Sequence, residues 1–321
     1  MPNNESCAAR SLCALAFCAF TVPAVLLLPR VGWLWTGIAS VATAGLLFLL
    51  LVLRRRCAVG TAELAAQSRT GRVALSAALL WNELMLGAAA GQLCAAYPTG
   101  RAFPLVGLLL LLLAAYAAGR GANVVLRTCG VVFFFLIILY SVLLAFALPQ
   151  VRWLSAPRTV DWKRLPAALA PICVIYLAEG RQKPTKSLPW LLGGVGLAIA
   201  AAFVTGGSLS PWVAAREDFP FYIMSKSLRI LGSVERFEPI VSCAVTVGGF
   251  ALLGLLCVTN ARMGKALGVE KKRLPFLNFF LGGASMWLSP RLSNAFLAGG
   301  TAIFWGLLPL VILSVGAVKK S

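Results

Sequence analysis

The stretch TCGVVFFFLIILYSVLLAFAL, residues 128–148, contains no charged residue and no proline. A helix needs ~20 such residues to cross a hydrocarbon layer ~30 Å thick, and in that layer every backbone polar group must be satisfied internally. The run is one of about ten. The apolar segments read as 11–28, 32–53, 73–97, 103–118, 124–148, 165–178, 188–206, 238–258, 274–290 and 295–317. Composition agrees, since 60% of the 321 residues are hydrophobic and 12% charged, whereas soluble domains carry roughly 25% charged residues. One core of this chain length has no room for so much apolar surface. The expected fold is an all-α polytopic membrane protein, a single transmembrane domain over residues 1–321. The first two runs follow one another with no small-residue cleavage site between them, so both are expected to be mature spans.

The sixth run departs from the rest. As an α-helix, 165–178 reaches only ~21 Å, and it contains Pro166 and Pro171. It is expected to be a broken or degraded span.

The formal charge of +19 has no compact basic domain with interleaved aromatics behind it, so nucleic acid is not an expected partner. The basic residues are spread over short loops, where they set orientation and meet anionic lipid. With an even number of spans and both termini in the cytoplasm, most of the 29 Lys and Arg residues fall on the cytoplasmic side, including Arg54, Arg55, Arg56, Lys271, Lys272 and Arg273. The external segment 149–164 is the main exception, with Arg152, Arg158, Lys163 and Arg164.

Histidine is absent, which removes His-ligated haem, HExxH zinc sites and Ser–His or Cys–His catalytic pairs. The nine cysteines form no CxxC pair and read as small apolar packing residues. Ten acidic residues without a DxxxD-type cluster leave little for Mg²⁺-dependent lipid or prenyl transfer. No catalytic residues, metal site or cofactor are expected, and the chain is not expected to be an enzyme.

Glu83, beside Asn82, lies about ten residues into the third run. A carboxylate at that depth costs ~2.5–3.5 kcal/mol on insertion scales, so it is expected to face a cavity or a partner. It can couple proton movement, pair with a ligand ammonium, or simply make an interhelical hydrogen bond. Ser242 and Thr246 in the eighth run are weaker candidates, because intramembrane hydroxyls commonly bond to their own helix. Gly87-Ala-Ala-Ala-Gly91 is a small-xxx-small stripe that permits close helix approach. Pro23, after Thr21 and Val22, interrupts the first run, and Pro171 the sixth. Each lacks an N–H and frees backbone acceptors.

Several stretches resemble one family in order along the chain. In LLLLLAAYAAGRGANVVLRT, Tyr116, Gly121 and Arg127 follow an apolar run, and the next span ends FALPQV at Phe146–Val151. An aliphatic-rich segment then leads to Glu235, Arg236 and Glu238, and the opening Arg10–Pro29 ends in Leu-Leu-Leu-Pro. These features resemble the spore-germination permeases, the B-subunit type of germinant receptor, within the amino acid–polyamine–organocation transporter superfamily. The chain departs from that pattern in two places. Asn123 stands where the family has an acid, and the sixth run lacks a Phe-Pro-Phe-Gly-Glu-like break.

The resemblance implies a five-plus-five inverted repeat whose first and sixth helices are broken at the midplane, where a small solute binds. It implies an amino-acid-like germinant held near Thr21, Val22, Pro23, Glu83, Pro171, Ser242 and Thr246. Glu235, Arg236 and Glu238 become an external gate or a partner contact, or else an acidic helix start. It further implies an A-type membrane subunit and a C-type lipoprotein as partners, and the spore inner membrane as the location. A free-standing amino-acid or polyamine transporter on this fold, and a germination subunit that has lost ligand binding, are the competing expectations.

Overall fold

The computed structural model describes residues 28–57, 59–95, 104–152, 162–178, 188–228 and 238–318. Most of the first expected span, with Thr21, Val22 and Pro23, lies outside these residues, as do Glu235 and Arg236. All regular structure among the described residues is helical. The elements are α1 (Trp33–Arg56), α2 (Thr61–Ala66), α3 (Arg69–Ala95), α4 (Pro104–Arg120) and α5 (Ala122–Ala147), then a 3₁₀ segment (Trp162–Tyr176). They continue with α6 (Leu188–Leu209), α7 (Pro211–Arg216), α8 (Pro220–Ser227), α9 (Glu238–Ala266) and α10 (Leu274–Leu288). The chain closes with α11 (Asn294–Thr301), a π-helical turn (Ala302–Leu307) and α12 (Leu308–Val318).

Among the described residues, six helical stretches are long and apolar enough to cross a membrane: Trp33–Arg56, Arg69–Ala95, Ala122–Gln150, Pro189–Leu209, Pro239–Ala266 and Ala295–Ala317. The molecule is therefore an all-helical polytopic membrane protein. Its helices are apolar on the outside. On α5, Val131, Phe134 and Ile138 are 73%, 63% and 64% exposed, a stripe at helical spacing that suits lipid rather than water. The buried face of α1 instead carries Thr36, Ser40 and Thr43. Thr36 Oγ1 donates to Leu28 O at 2.9 Å, whereas Ser40 Oγ is buried without a partner.

The sixth segment differs from a short α-helix. Trp162–Tyr176 winds as a 3₁₀ helix, a form seldom sustained beyond a turn. Pro166 and Pro171 explain why the α form loses its advantage, since each removes a donor and crowds the carbonyl four residues back. At ~2.0 Å per residue its apolar part, Ala167–Tyr176, covers ~20 Å. Ala168 and Ala170–Tyr176 are buried, so this is a central element packed between α1, α9 and α11.

Loops gather at two ends. At one, Arg54 donates to Cys57 O at 3.0 Å and Ala178 O at 3.4 Å, Thr61 Oγ1 donates to Ile175 O, and Arg262 pairs with Glu63. This basic end joins the segments that sequence alternation puts on one side. At the other, Arg30 pairs with Asp218 at 2.7 Å and donates to Ala215 O, while Arg152 N donates to Gly207 O. α8 docks onto the bundle. Phe221 and Met224 are fully buried, and Phe221 meets Tyr140 edge-on at 6.2 Å.

Candidate functional site: a buried polar seam beside a basic cavity

Glycine sets the geometry. A Cβ on Gly87 would meet Gly282 O, Met286 N and Ser285 Cβ, so α3 and α10 touch backbone to backbone there. Both helices start at the basic end, which makes them parallel. Glu83 lies one turn before Gly87, and Asn278 lies one turn before Gly282. Close approach one turn above therefore brings the two polar residues to the same level.

Glu83 is 2% exposed, and neither carboxylate oxygen has a hydrogen-bond partner. The Asn260 amide of α9 lies beside it without reaching hydrogen-bond geometry. Asn260 is itself fully buried with both side-chain polar atoms unpartnered. Cys257 lies one turn before Asn260 on the same helix. Its carbonyl accepts from Asn278 Nδ2 at 3.1 Å, which leaves Asn278 Oδ1 buried and unpartnered.

On the next position of α3, Asn82 Oδ1 accepts from Trp305 Nε1. Trp305 belongs to the π-helical turn, a form that recurs at functional sites because its extra residue re-aims side chains. Tyr176, at the end of the 3₁₀ segment, donates to Phe304 O at 2.9 Å. Phe304 in turn stacks on Trp81 at 5.5 Å. Gly300 leaves room for that indole, for a Cβ there would strike its ring. The result is a line of buried polar groups from α3, α9, α10 and the π turn, enclosed by aromatic rings.

Such a line is costly. A buried polar group without a partner forfeits about 1–3 kcal/mol, more if charged. Four side chains here carry unpartnered atoms: Asn82, Glu83, Asn260 and Asn278. An uncompensated carboxylate in this setting calls for a proton, a cation or an ammonium group.

Next to the seam, at the basic end, is a cavity of about 520 Å³. Asn278 lines it, together with Asn123, Arg262, Lys265 and Lys271. Asn278 thus belongs to both features.

The sequence-derived candidates are only partly brought together. Glu83 and Asn82 lie in the seam. Ser242 and Thr246 do not. Thr246 Oγ1 donates to Ser242 O at 2.6 Å, Tyr222 Oη lies 3.4 Å from Ser242 Oγ, and Thr246 is about 16 Å along α9 from Cys257. Pro171 is buried in the 3₁₀ segment, whose link to the seam runs through Tyr176. Glu238 is the first residue of α9, far from Asn260 along the same helix.

Asn260, Asn278 and Trp305 went unremarked in the sequence. Asn260 was hidden because α9 runs to Ala266, about two turns beyond the expected 238–258. Asn278 did carry a signal, being an amide within an apolar run, a rarity that points inward. No known protein family matches the chain, and no curated protein matches it.

Proposed function

We propose that the chain is the B-type membrane subunit of a spore germinant receptor, holding a small amino-acid-like germinant inside its helix bundle. In this reading it crosses the membrane about ten times as a five-plus-five inverted repeat, with both termini cytoplasmic. It resides in the spore inner membrane, contacts anionic lipid through its basic loops, and passes its signal to an A-type subunit and a C-type lipoprotein.

The single observation that carries the reading is Glu83, a buried acid on α3 with both oxygens unpartnered and amides around it. Among the described residues it has no cationic partner. A solute ammonium completes it with the charge it lacks, and the Asn260 amide supplies both a donor and an acceptor to the same solute. A chain that retains this cost gains something from it, and ligand recognition is the use that the family resemblance supplies.

The test is a germinant dose–response in the spore-forming host with Glu83→Gln, which keeps the volume and removes the charge. The expected result is a rightward shift of at least ~10-fold for amine-bearing germinants, the loss of one charge-assisted hydrogen bond. An unchanged response to every germinant, in a strain where this is the sole receptor, refutes the assignment. A free-standing transporter of amino acids or polyamines makes a different forecast. The purified chain alone, in liposomes, then moves solute without partner subunits.

A further inference from the structure

The cavity at the basic end has features that the germinant reading does not use. Its volume of about 520 Å³ falls in the range of small-molecule sites. Among the described residues its lining contains no Asp or Glu. Glu63 pairs with Arg262 of the lining, and Glu270 with Arg273 at 2.9 Å. Lys265 and Lys271, on the lining, have no acidic partner among the described residues.

Two helix N-termini converge on the same space. Gly121, Ala122 and Asn123 open α5, and Leu274 and Pro275 open α10. The N-cap of α5 is Gly121, at φ 128°, and makes no side-chain cap. The N-cap of α10 is Arg273, again without a side-chain cap. The N–H groups of Ala122 and Asn123 on α5 and of Leu274 on α10 thus lack intrahelical acceptors, Pro275 having no N–H, and the positive ends of two helix dipoles meet here. Two such ends with Lys265 and Lys271 form an anion-seeking surface, while the charge of Arg262 is compensated by Glu63.

Asn278 adds an independent demand. It lines the cavity and is fully buried. Its Nδ2 is committed to Cys257 O and its Oδ1 accepts nothing. A bare anion leaves that oxygen unsatisfied, whereas a ligand with an O–H or N–H satisfies it. The remaining walls are apolar, with Leu126 and Val258 among them.

We propose that this cavity binds a compact anion, a phosphate or carboxylate, that also carries a hydroxyl or amino donor. The anion sits between Lys265, Lys271 and the starts of α5 and α10, and the donor meets Asn278. A soluble metabolite and the phosphoglycerol headgroup of an anionic lipid share this chemistry. The site stands apart from Glu83, and the proposal does not depend on a role in germination.

The experiment uses the full chain in nanodiscs of phosphatidylcholine, with glycerol 3-phosphate as the probe and the thermal unfolding midpoint as the readout. A saturable rise is expected. Lys265→Gln/Lys271→Gln weakens apparent affinity by at least ~10-fold, and Asn278→Ala by several fold. Sulfate has no donor at neutral pH, so it binds wild type and Asn278→Ala alike. Both lysines are exposed, so their replacement leaves the unliganded midpoint near wild type. A second set of discs contains phosphatidylglycerol. Loss of the glycerol phosphate response there, with phosphatidylglycerol retained by wild type but not by the double variant in native mass spectrometry, identifies a lipid occupant. Persistence of the response identifies a soluble one. Absence of any saturable response in phosphatidylcholine discs, with phosphatidylglycerol retained equally by wild type and the double variant, overturns the proposal. So does an affinity indifferent to both the lysine and the Asn278 changes.

Discussion

Gly87→Ala and Gly91→Ala change the same motif on the same helix and are expected to act in opposite directions. A methyl on Gly87 arrives 2.5 Å from Met286 N and 2.5 Å from Ser285 Cβ, and presses on Gly282 O besides. Ordinary contact begins near 3.4 Å, so α3 and α10 must part by about 1 Å. Two of these obstacles are backbone atoms of a helix and cannot swing aside. Overpacking of this kind costs typically 1–3 kcal/mol. Replacing a helical Gly by Ala returns about 0.5–1 kcal/mol, and because two of the obstacles are fixed backbone atoms the cost falls at the upper end of its range, which leaves a net loss of roughly 2 kcal/mol. At Gly91 the nearest neighbours are Met286 Cγ at 3.7 Å and Met286 O at 3.8 Å. The methyl fits, and the propensity gain of about 0.5–1 kcal/mol stands alone. Equilibrium unfolding in mixed micelles, titrated with denaturing detergent, measures both. Gly87→Ala as stable as wild type, or Gly91→Ala less stable than Gly87→Ala, refutes the close packing of α3 on α10 and with it the level placement of Glu83 and Asn278.

Other outcomes follow from single contacts. Glu83→Leu removes an unpartnered buried acid and is expected to raise the unfolding midpoint while abolishing the ligand response, a stability gain at the expense of function. A lower midpoint shows instead that the carboxylate is structurally satisfied. Asn82→Ala strands Trp305 Nε1 and is expected to cost about 1–3 kcal/mol, most of which Asn82→Ala combined with Trp305→Phe restores by removing both polar groups. Thermal unfolding of the single and double variants checks this non-additivity. Glu63→Gln breaks the pair with Arg262, whose side chains are 31% and 25% exposed. Solvent screening holds the expected loss to under about 1 kcal/mol, and a double-mutant cycle with Arg262→Gln reads the coupling directly.

The helices were legible because lipid exposure demands a simple pattern. An apolar run on α5 needs no partner to declare itself, and its expected range of 124–148 agrees with Ala122–Ala147. Edges were harder. α9 continues past Val258 through Thr259, Asn260 and Arg262, polar residues that read as a loop yet remain helical because Asn260 and Thr259 turn inward and Arg262 finds Glu63. The sixth segment was legible as an anomaly and illegible as a structure. Its prolines announce that an α-helix fails there, but nothing in the pattern selects a sustained 3₁₀ winding. Glu83 was legible for the same reason as α5, since an acid within an apolar run is conspicuous. Its surroundings were not, because they come from helices far apart in sequence.

The seam and the cavity share α9, and that sharing has a mechanical consequence. Asn278 binds the Cys257 carbonyl from the cavity side, while Asn260, one turn on from Cys257, shares its helical face. A ligand donor that satisfies Asn278 Oδ1 fixes the rotamer of an amide already tied to α9. A cation or ammonium at Glu83 draws on Asn260, one turn further along the same helix. Each occupant therefore biases the position of one segment, Cys257–Ala261, with respect to α3 and α10. Two sites that bias one element are coupled by reciprocal free energy, and the close contact at Gly87 limits how far that element's neighbours can yield. Occupancy of the basic cavity is then expected to change the Glu83 ligand's affinity, and the Glu83 ligand to change the cavity's by the same factor. Glycerol 3-phosphate titrations of wild type with and without a saturating amine-bearing germinant measure that factor. A ratio of one, with both ligands bound, disproves a shared element.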